Sequence, residues 1–316
     1  MTPLRIGTRG SALALWQART VAALIEAGGP PVELVVIKTG GDRLQERPLS
    51  ETGDKRLFVK EIEDALLAGD VDIAVHSAKD MSATLPGGLE IAAVLPREDP
   101  RDALVLHGGS TVADFTAALA HLGESPKIAT GSIRRVAQLA ALLPGASFAP
   151  FRGNVDTRIR KLDEGGFDAI VLACAGMRRL GFASRISAAI PFDVCIPAPG
   201  QGIVAIEIRA DDQHARVALQ SANDAAAAVS LEAERTVVTA LGGGCQLPLG
   251  AIALHGSGGL TMHGVVATPD GKRAIRGTVE GSTGDPAGLG LRLAEKLARS
   301  GATEILTAVR ARSTLQ

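Results

Sequence analysis

Three clusters of side chains in this chain have the types and spacing to do chemistry. The stretch HSAKD places His76, Ser77, Lys79 and Asp80 directly after the apolar run VDIAVH (71–76). Polar groups at the carboxyl end of a buried parallel strand face the cleft where α/β folds bind ligands. An aspartate there can move a proton or stabilise a developing cation. The same residues also suit an exposed turn whose Lys–Asp pair is worth little.

The second cluster is cationic. Between 127 and 185, ten basic residues (Lys127, Arg134, Arg135, Arg152, Arg158, Arg160, Lys161, Arg178, Arg179, Arg185) face four acidic ones (Asp156, Asp163, Glu164, Asp168). That local excess of six sits in a chain of formal net charge -1. Arg134 and Arg135 open a helix beside Thr130 and Ser132, where the helix dipole is already positive. Two guanidiniums there repel each other unless an anion lies between them, and guanidinium suits bidentate grip on carboxylate or phosphate. Arg9 occupies the matching turn near the amino terminus. A solvated basic face accounts for Arg160 and Lys161 but not for Arg134 and Arg135. The sequence has no GxxxxGK[ST] loop and no GxGxxG after a strand. Dispersed arginines therefore point to a ligand with several separate carboxylates rather than a compact triphosphate.

The third cluster is LGGGCQLPLG (241–250), where Cys245 follows three glycines. Glycine removes bulk and proline stiffens the exit, so the thiol is expected to be accessible and reactive. Cys174, in IVLACAG, and Cys195, in DVCIPAPG without polar neighbours, are expected to be small buried hydrophobes. Three cysteines without CxxC spacing signal neither a disulfide framework nor a zinc knuckle, and six scattered histidines signal no metal site. His255 is the histidine nearest Cys245, which leaves a Cys–His dyad open.

These clusters need a scaffold, and the patterning supplies one. LRIGT (4–8), VELVVIKT (32–39) and VDIAVH (71–76) read as strands. ALALWQARTVAALIEAG (12–28) and LFVKEIEDALLAG (57–69) read as amphipathic helices. This is βαβ grammar. It recurs, for KIATGSIRRVAQLAALL (127–143) copies the opening strand–turn–helix and IRKLDEGGFDAIVLA (159–173) echoes 62–76. The expected fold is two α/β lobes, residues 1–101 with 201–219 and residues 102–200, plus a small α+β domain over 220–316. The strand near 203–208 is expected to return to the first lobe. Near-neutral charge argues against a general nucleic-acid binder. No apolar run reaches spanning length and the amino terminus lacks signal-peptide order, so a cytoplasmic protein is expected. Aromatics make up 3%, with no tyrosine, so a ligand site must rely on charge, hydrogen bonds and aliphatic walls.

The motifs, in order, resemble the porphobilinogen deaminase family over essentially the whole chain. They are RIGTRGSALALWQ, LFVKEIE, DIAVHSAKD, REDPRDALV, RGNVDTRIRKL, AGMRRLG, PGQG and ERTVVTALGGGCQLPLG. The resemblance implies two hinged lobes like type II periplasmic solute-binding proteins and a third domain. It implies a transferase that joins four porphobilinogens head to tail, releases ammonia each time, and hydrolyses off linear hydroxymethylbilane. It implies a dipyrromethane cofactor held by a thioether to Cys245. Asp80 is then the catalytic carboxylate, contacting pyrrole N–H groups and stabilising the azafulvene cation. Lys79, Asp80, Thr130, Ser132, Arg134 and Arg135 are implied to hold the cofactor. Arg9, Ser11, Gln17, Arg152, Arg158, Arg179 and Gln201 are implied to bind substrate and growing chain, and Lys55, Phe58 and Lys60 to belong to a loop over the cleft. A near-neutral chain with no evident apolar patch suits a monomer, and its product is expected to pass to the next tetrapyrrole-pathway enzyme.

Three departures from the family pattern stand out. Ser82 replaces a common proline two residues after Asp80, Ala129 and Gly131 replace Gly and Ser of a GTSS turn, and GDKR (53–56) replaces GGKG. Without the resemblance, two other classes fit the residues: a two-lobe module that senses a polycarboxylate without chemistry, and an unrelated cysteine transferase.

Overall fold

The computed structural model describes residues 2–40, 59–109, 112–242 and 247–314. Lys55, Phe58, Cys245 and the GDKR segment lie outside the described residues.

The first lobe is built on a five-stranded sheet ordered β2-β1-β3-β10-β4. Its strands are β1 (Leu4–Thr8), β2 (Val32–Val36), β3 (Ile73–Ser77), β4 (Leu89–Val94) and β10 (Val204–Arg209). Helix α1 (Ala12–Glu26) follows β1, and α2 (Lys60–Ala68) precedes β3. Ser11 caps α1 by accepting from the Ala14 amide at 3.3 Å, and Gly69 ends α2 in the left-handed region at φ 77°. Parallel β1 and β3 are buried almost throughout, which is why β3 and the residues leading into it read as a near-continuous apolar run.

The second lobe repeats the plan with the order β7-β6-β8-β5-β9. Its strands are β5 (Asp102–Leu106), β6 (Lys127–Ala129), β7 (Ser147–Ala149), β8 (Ala169–Ala173) and β9 (Ala188–Ala189). Its helices are α3 (Phe115–Leu122), α4 (Ile133–Leu142), α5 (Val155–Asp163) and α6 (Cys174–Arg179). In each sheet one strand runs antiparallel to its neighbours. β10 pairs antiparallel with β3 and β4, and β5 pairs antiparallel with β8 and β9. Both strands enter straight from the segments that cross between lobes. Their amino ends therefore meet the carboxyl ends of β3 and β8, at the cleft.

After α7 (Gln213–Ala218), helix α8 (Ala225–Ala240) leads into an antiparallel sheet, β11 (Leu249–Gly256), β12 (Gly259–Ala267) and β13 (Ala274–Gly281). Helices α9 (Pro286–Arg299) and α10 (Ala302–Thr314) complete this α+β domain, with leucines 289, 293 and 297 of α9 in its core. The third domain touches both lobes. Ala227 and Leu231 of α8 join a cluster with Ala78, Met81 and Val94 of the first lobe. Ile252, Val265 and Ala267 pack on Ala137 of α4 and on Ile196. Fully buried Glu234 ties the three parts together, accepting from Arg97 Nη1 at 2.5 Å, the Gly200 amide at 2.6 Å and the Ala253 amide at 2.8 Å. Among the described residues, no helix is long and apolar enough to cross a membrane.

Two expectations are corrected. Cys174 is buried, but it opens helix α6 rather than lying inside the strand, because β8 ends at Ala173. Cys195 is fully buried yet has polar company, with its Sγ 3.4 Å from both Asp102 Oδ2 and Arg134 Nη1. Sequence neighbours could not reveal contacts made across the fold.

Candidate active site

The turn carrying Asp80 is the continuation of β3. A single 3-10 turn, Ala78–Asp80, is anchored by the Ala78 amide donating to Ile203 O at 3.0 Å. One residue earlier, Ser77 Oγ accepts from Gln17 Nε2 of α1 at 2.9 Å. The turn also packs against PGQG. Gly200 has φ 74°, and a Cβ there would lie 3.0 Å from Ala78 Cβ, so only glycine fits beside this turn. Asp80 is partly exposed, and no described residue donates a hydrogen bond to its carboxylate. Lys79 lies 3.5 Å from Gln201 Oε1. Burial, with help from Arg135 and Arg134 and against the pull of Asp80 and Asp102, pushes its ammonium down to about 8.

Opposite stands the arginine-rich end of the second lobe. Arg134 and Arg135 are buried, and the anion between them is Asp102, the fully buried first residue of β5. Arg134 Nη1 donates to Asp102 Oδ2 at 2.7 Å and to Ile196 O at 2.8 Å. Arg135 Nε donates to Asp102 Oδ1 at 3.0 Å, and its Nη1 to Val171 O at 2.9 Å. Gln201 Nε2 adds a third donor to Asp102 Oδ1 at 2.8 Å. Burial pushes the Asp102 carboxyl up, but the two guanidiniums outweigh it and hold the group well below the usual carboxylate range. Gln201, expected at the substrate, is itself buried and spends its amide on Asp102, Pro100 O and Lys79.

The rest of the set is distributed around this core. Thr130 is buried, with its Oγ1 accepting from the Ser132 amide at 3.3 Å. Ser132 stands at the N-cap of α4 without making a side-chain cap bond. Arg158, anchored to Gly153 O at 2.7 Å, is pushed down to about 10 by burial and by the guanidiniums of Arg135 and Arg152, against Asp80. Arg158 and Arg152 therefore belong to the same electrostatic neighbourhood as Asp80. Arg179 reaches across, donating to Gly202 O at 2.7 Å with its guanidinium 5.4 Å from the Trp16 ring. Arg9 is partly exposed beyond β1, and Ser11 is the α1 cap. Lys60 is exposed at the start of α2, 3.8 Å from Asp64. His255 Nε2 is bonded to Ser230 Oγ at 3.1 Å and Ala226 O at 2.9 Å, which ties it to α8.

Chemically, five cations (Lys79, Arg134, Arg135, Arg152, Arg158) converge on two carboxylates, Asp80 and Asp102. Several like charges at low solvent exposure call for an anionic ligand. The donor set fits a dipyrromethane bearing acetate and propionate groups. Asp102 and Glu234 are the residues that reading the sequence missed. For Asp102 the available signal was a lone charge opening the otherwise apolar strand DALVL.

Similarity to known proteins agrees with this chemistry. The sequence model "Porphobilinogen deaminase, dipyromethane cofactor binding domain" matches residues 4–217, and "Porphobilinogen deaminase, C-terminal domain" matches residues 228–299. The chain belongs to the porphobilinogen deaminase family. The porphobilinogen deaminase of Syntrophomonas wolfei is 46% identical over 312 residues, 98% of this chain and 100% of that protein. That of Moorella thermoacetica is 44% identical over 315 residues, 99% of this chain and 98% of its own length. Among solved structures, the Bordetella pertussis BvgS periplasmic VFT2 domain overlaps 69% of this chain and 86% of its own length, at 16% identity and a TM-score of 0.40. Family membership makes the chain a transferase of tetrapyrrole biosynthesis with a dipyrromethane cofactor domain.

Proposed function

We propose that the cleft joins four porphobilinogens head to tail, with Asp80 as the catalytic carboxylate and Cys245 as the attachment point of dipyrromethane through a thioether. The observation that carries the reading is the placement of Asp80 at the rim of a cationic cluster that exceeds it in charge. When bound, dipyrromethane supplies the pyrrole carbon to which the first substrate is joined. Lys79, Thr130, Ser132 and Arg135 hold its carboxylates, and Arg134 contributes by fixing the shared Asp102. Arg9, Ser11, Gln17, Arg152, Arg158, Arg179 and Gln201 bind or orient substrate and the lengthening chain. Lys55, Phe58 and Lys60 belong to the loop over the cleft.

Asp80 has one task at each cycle. Its carboxylate faces the positive charge that develops as ammonia leaves the substrate's aminomethyl carbon, and it accepts from the pyrrole N–H. A fixed charge aimed at a developing charge is usually the largest catalytic contribution. The cations around it orient the acetate and propionate groups, so each new ring arrives in register for attack. The lobe division (1–101 with 201–219, 102–200, and 220–316), a cytoplasmic location, a monomeric state and transfer of product to the next enzyme of the pathway complete the reading.

Intact-protein mass tests it. The purified chain should carry a covalent excess equal to two linked pyrrole units, absent from Cys245→Ser. An unmodified mass in active protein overturns the assignment.

A further inference from the structure

Beneath the catalytic turn lies a buried ionisable pair that the chemistry above does not use. His76 Nε2 lies 3.1 Å from Glu207 Oε2, with His76 at 5% and Glu207 at 0% exposure. Glu207 Oε1 is also buried, and accepts no hydrogen bond among the described residues. A carboxylate in such a place is costly, and an apolar pair would fill the space at lower cost. What the polar pair adds is a directional bond between two particular strands.

Those strands are β3 and β10. His76 sits four residues before Asp80, and β10 begins three residues after Gln201. The register of β10 shifts against β4 between Ile206 and Glu207, while its pairing with β3 stays regular. The extra residue, Ala92, belongs to β4, so the irregularity bends β4 and leaves β10 regular against β3 at Glu207. Neighbouring residues on a strand point to opposite faces. Ser77 is held on one face by Gln17, and His76 on the other by Glu207. The register so fixed sets three contacts at the cleft: Ala78 N to Ile203 O, Lys79 to Gln201, and Gln201 to Asp102.

We propose that the Glu207–His76 pair is a positioning device that locks β10 to β3 and so fixes the aim of Asp80 and Lys79. The inference rests on the assignment of Asp80 as the catalytic carboxylate. Its test uses the full-length holoenzyme, with porphobilinogen turnover, KM, cofactor mass and melting temperature measured together. The Glu207→Leu/His76→Phe double variant replaces both partners by apolar groups and keeps the fold, since removing both ends of a buried bond leaves nothing unpaired. It should carry full cofactor and keep KM within about twofold, yet lose about tenfold or more in kcat. Glu207→Gln, which can still bond the ring nitrogen, should stay within about threefold of the parent kcat. Full kcat in the folded double variant overturns the inference, as does an equal loss in Glu207→Gln. Asp80→Asn measured in parallel separates the two readings: retained turnover there removes Asp80 itself, whereas retained turnover only in the double variant removes the positioning role.

Discussion

The two lobes solve the same turn differently. IGTRGS and IATGS each leave a strand, pass a buried threonine and start a helix at a serine. In the first lobe the turn closes on itself: Thr8 Oγ1 donates to Ala14 O and Ser11 accepts from the Ala14 amide. In the second lobe Thr130 turns to the Ser132 amide, and Ser132 caps nothing within its helix. The start of α4 instead gathers two buried arginines on Asp102, and Ser132 makes no side-chain cap bond there. On the function proposed above, the first lobe supplies the carboxylate Asp80 and the second lobe grips charge.

If this division of labour is right, Asp80→Asn has the largest effect. It should keep cofactor and fold while turnover falls on the order of 100-fold or more, because the lobe-one charge acts on the reacting centre. Turnover near the parent value would erase the comparison.

Asp102→Asn should act on the other lobe, through grip and stability. Removing one partner of a buried charge cluster costs about 3–5 kcal/mol. Denaturant unfolding should show that loss, and intact mass should show more apo-protein. The pH dependence sharpens the point. A carboxyl held below its unfolded value contributes stability that is present above about pH 4 and lost as pH falls through its folded value. The melting temperature of the parent should drop on acidification below about pH 4, and that of Asp102→Asn less steeply. Parallel curves would show that Asp102 is not the group responsible.

The two serines separate the lobes most directly. Ser11→Ala should cost about 1 kcal/mol through loss of the α1 cap, with cofactor acquisition unchanged. Ser132→Ala should leave stability within about 0.5 kcal/mol and slow the loading of apo-protein. Equal stability losses in both would mean that the turns are equivalent. The smallest effect belongs to Arg160→Ala, whose exposed pair with Glu164 is worth under about 0.5 kcal/mol, and neither activity nor cofactor mass should change.

Much of this was legible in the sequence. Apolar runs with period and length suited to parallel strands marked β1 and β3, and the turn HSAKD stood out because polar groups rarely crowd the end of such a run. Arg134 and Arg135 were conspicuous because cations at a helix start need an explanation. The closing helix α10 was not anticipated, since ATEILTAVRARST has little amphipathic contrast, and its buried Ile305 and Leu306 are paired with a sheet distant in sequence.

What the chain determined by itself was the inventory: strands from apolar runs, helix ends from capping residues and glycine, and a cationic surplus that demanded an anion. These follow from local sterics and charge, which act over a few residues. The tertiary structure decided which anion answered which cation. Asp102 reaches Arg134 and Arg135 only because β5 enters its sheet antiparallel and brings its amino end to the cleft. Glu207 reaches His76 across 131 residues for the same reason, on β10. Pairings of that kind depend on strand direction and register, which are set by the packing of the whole sheet and not by the residues beside them.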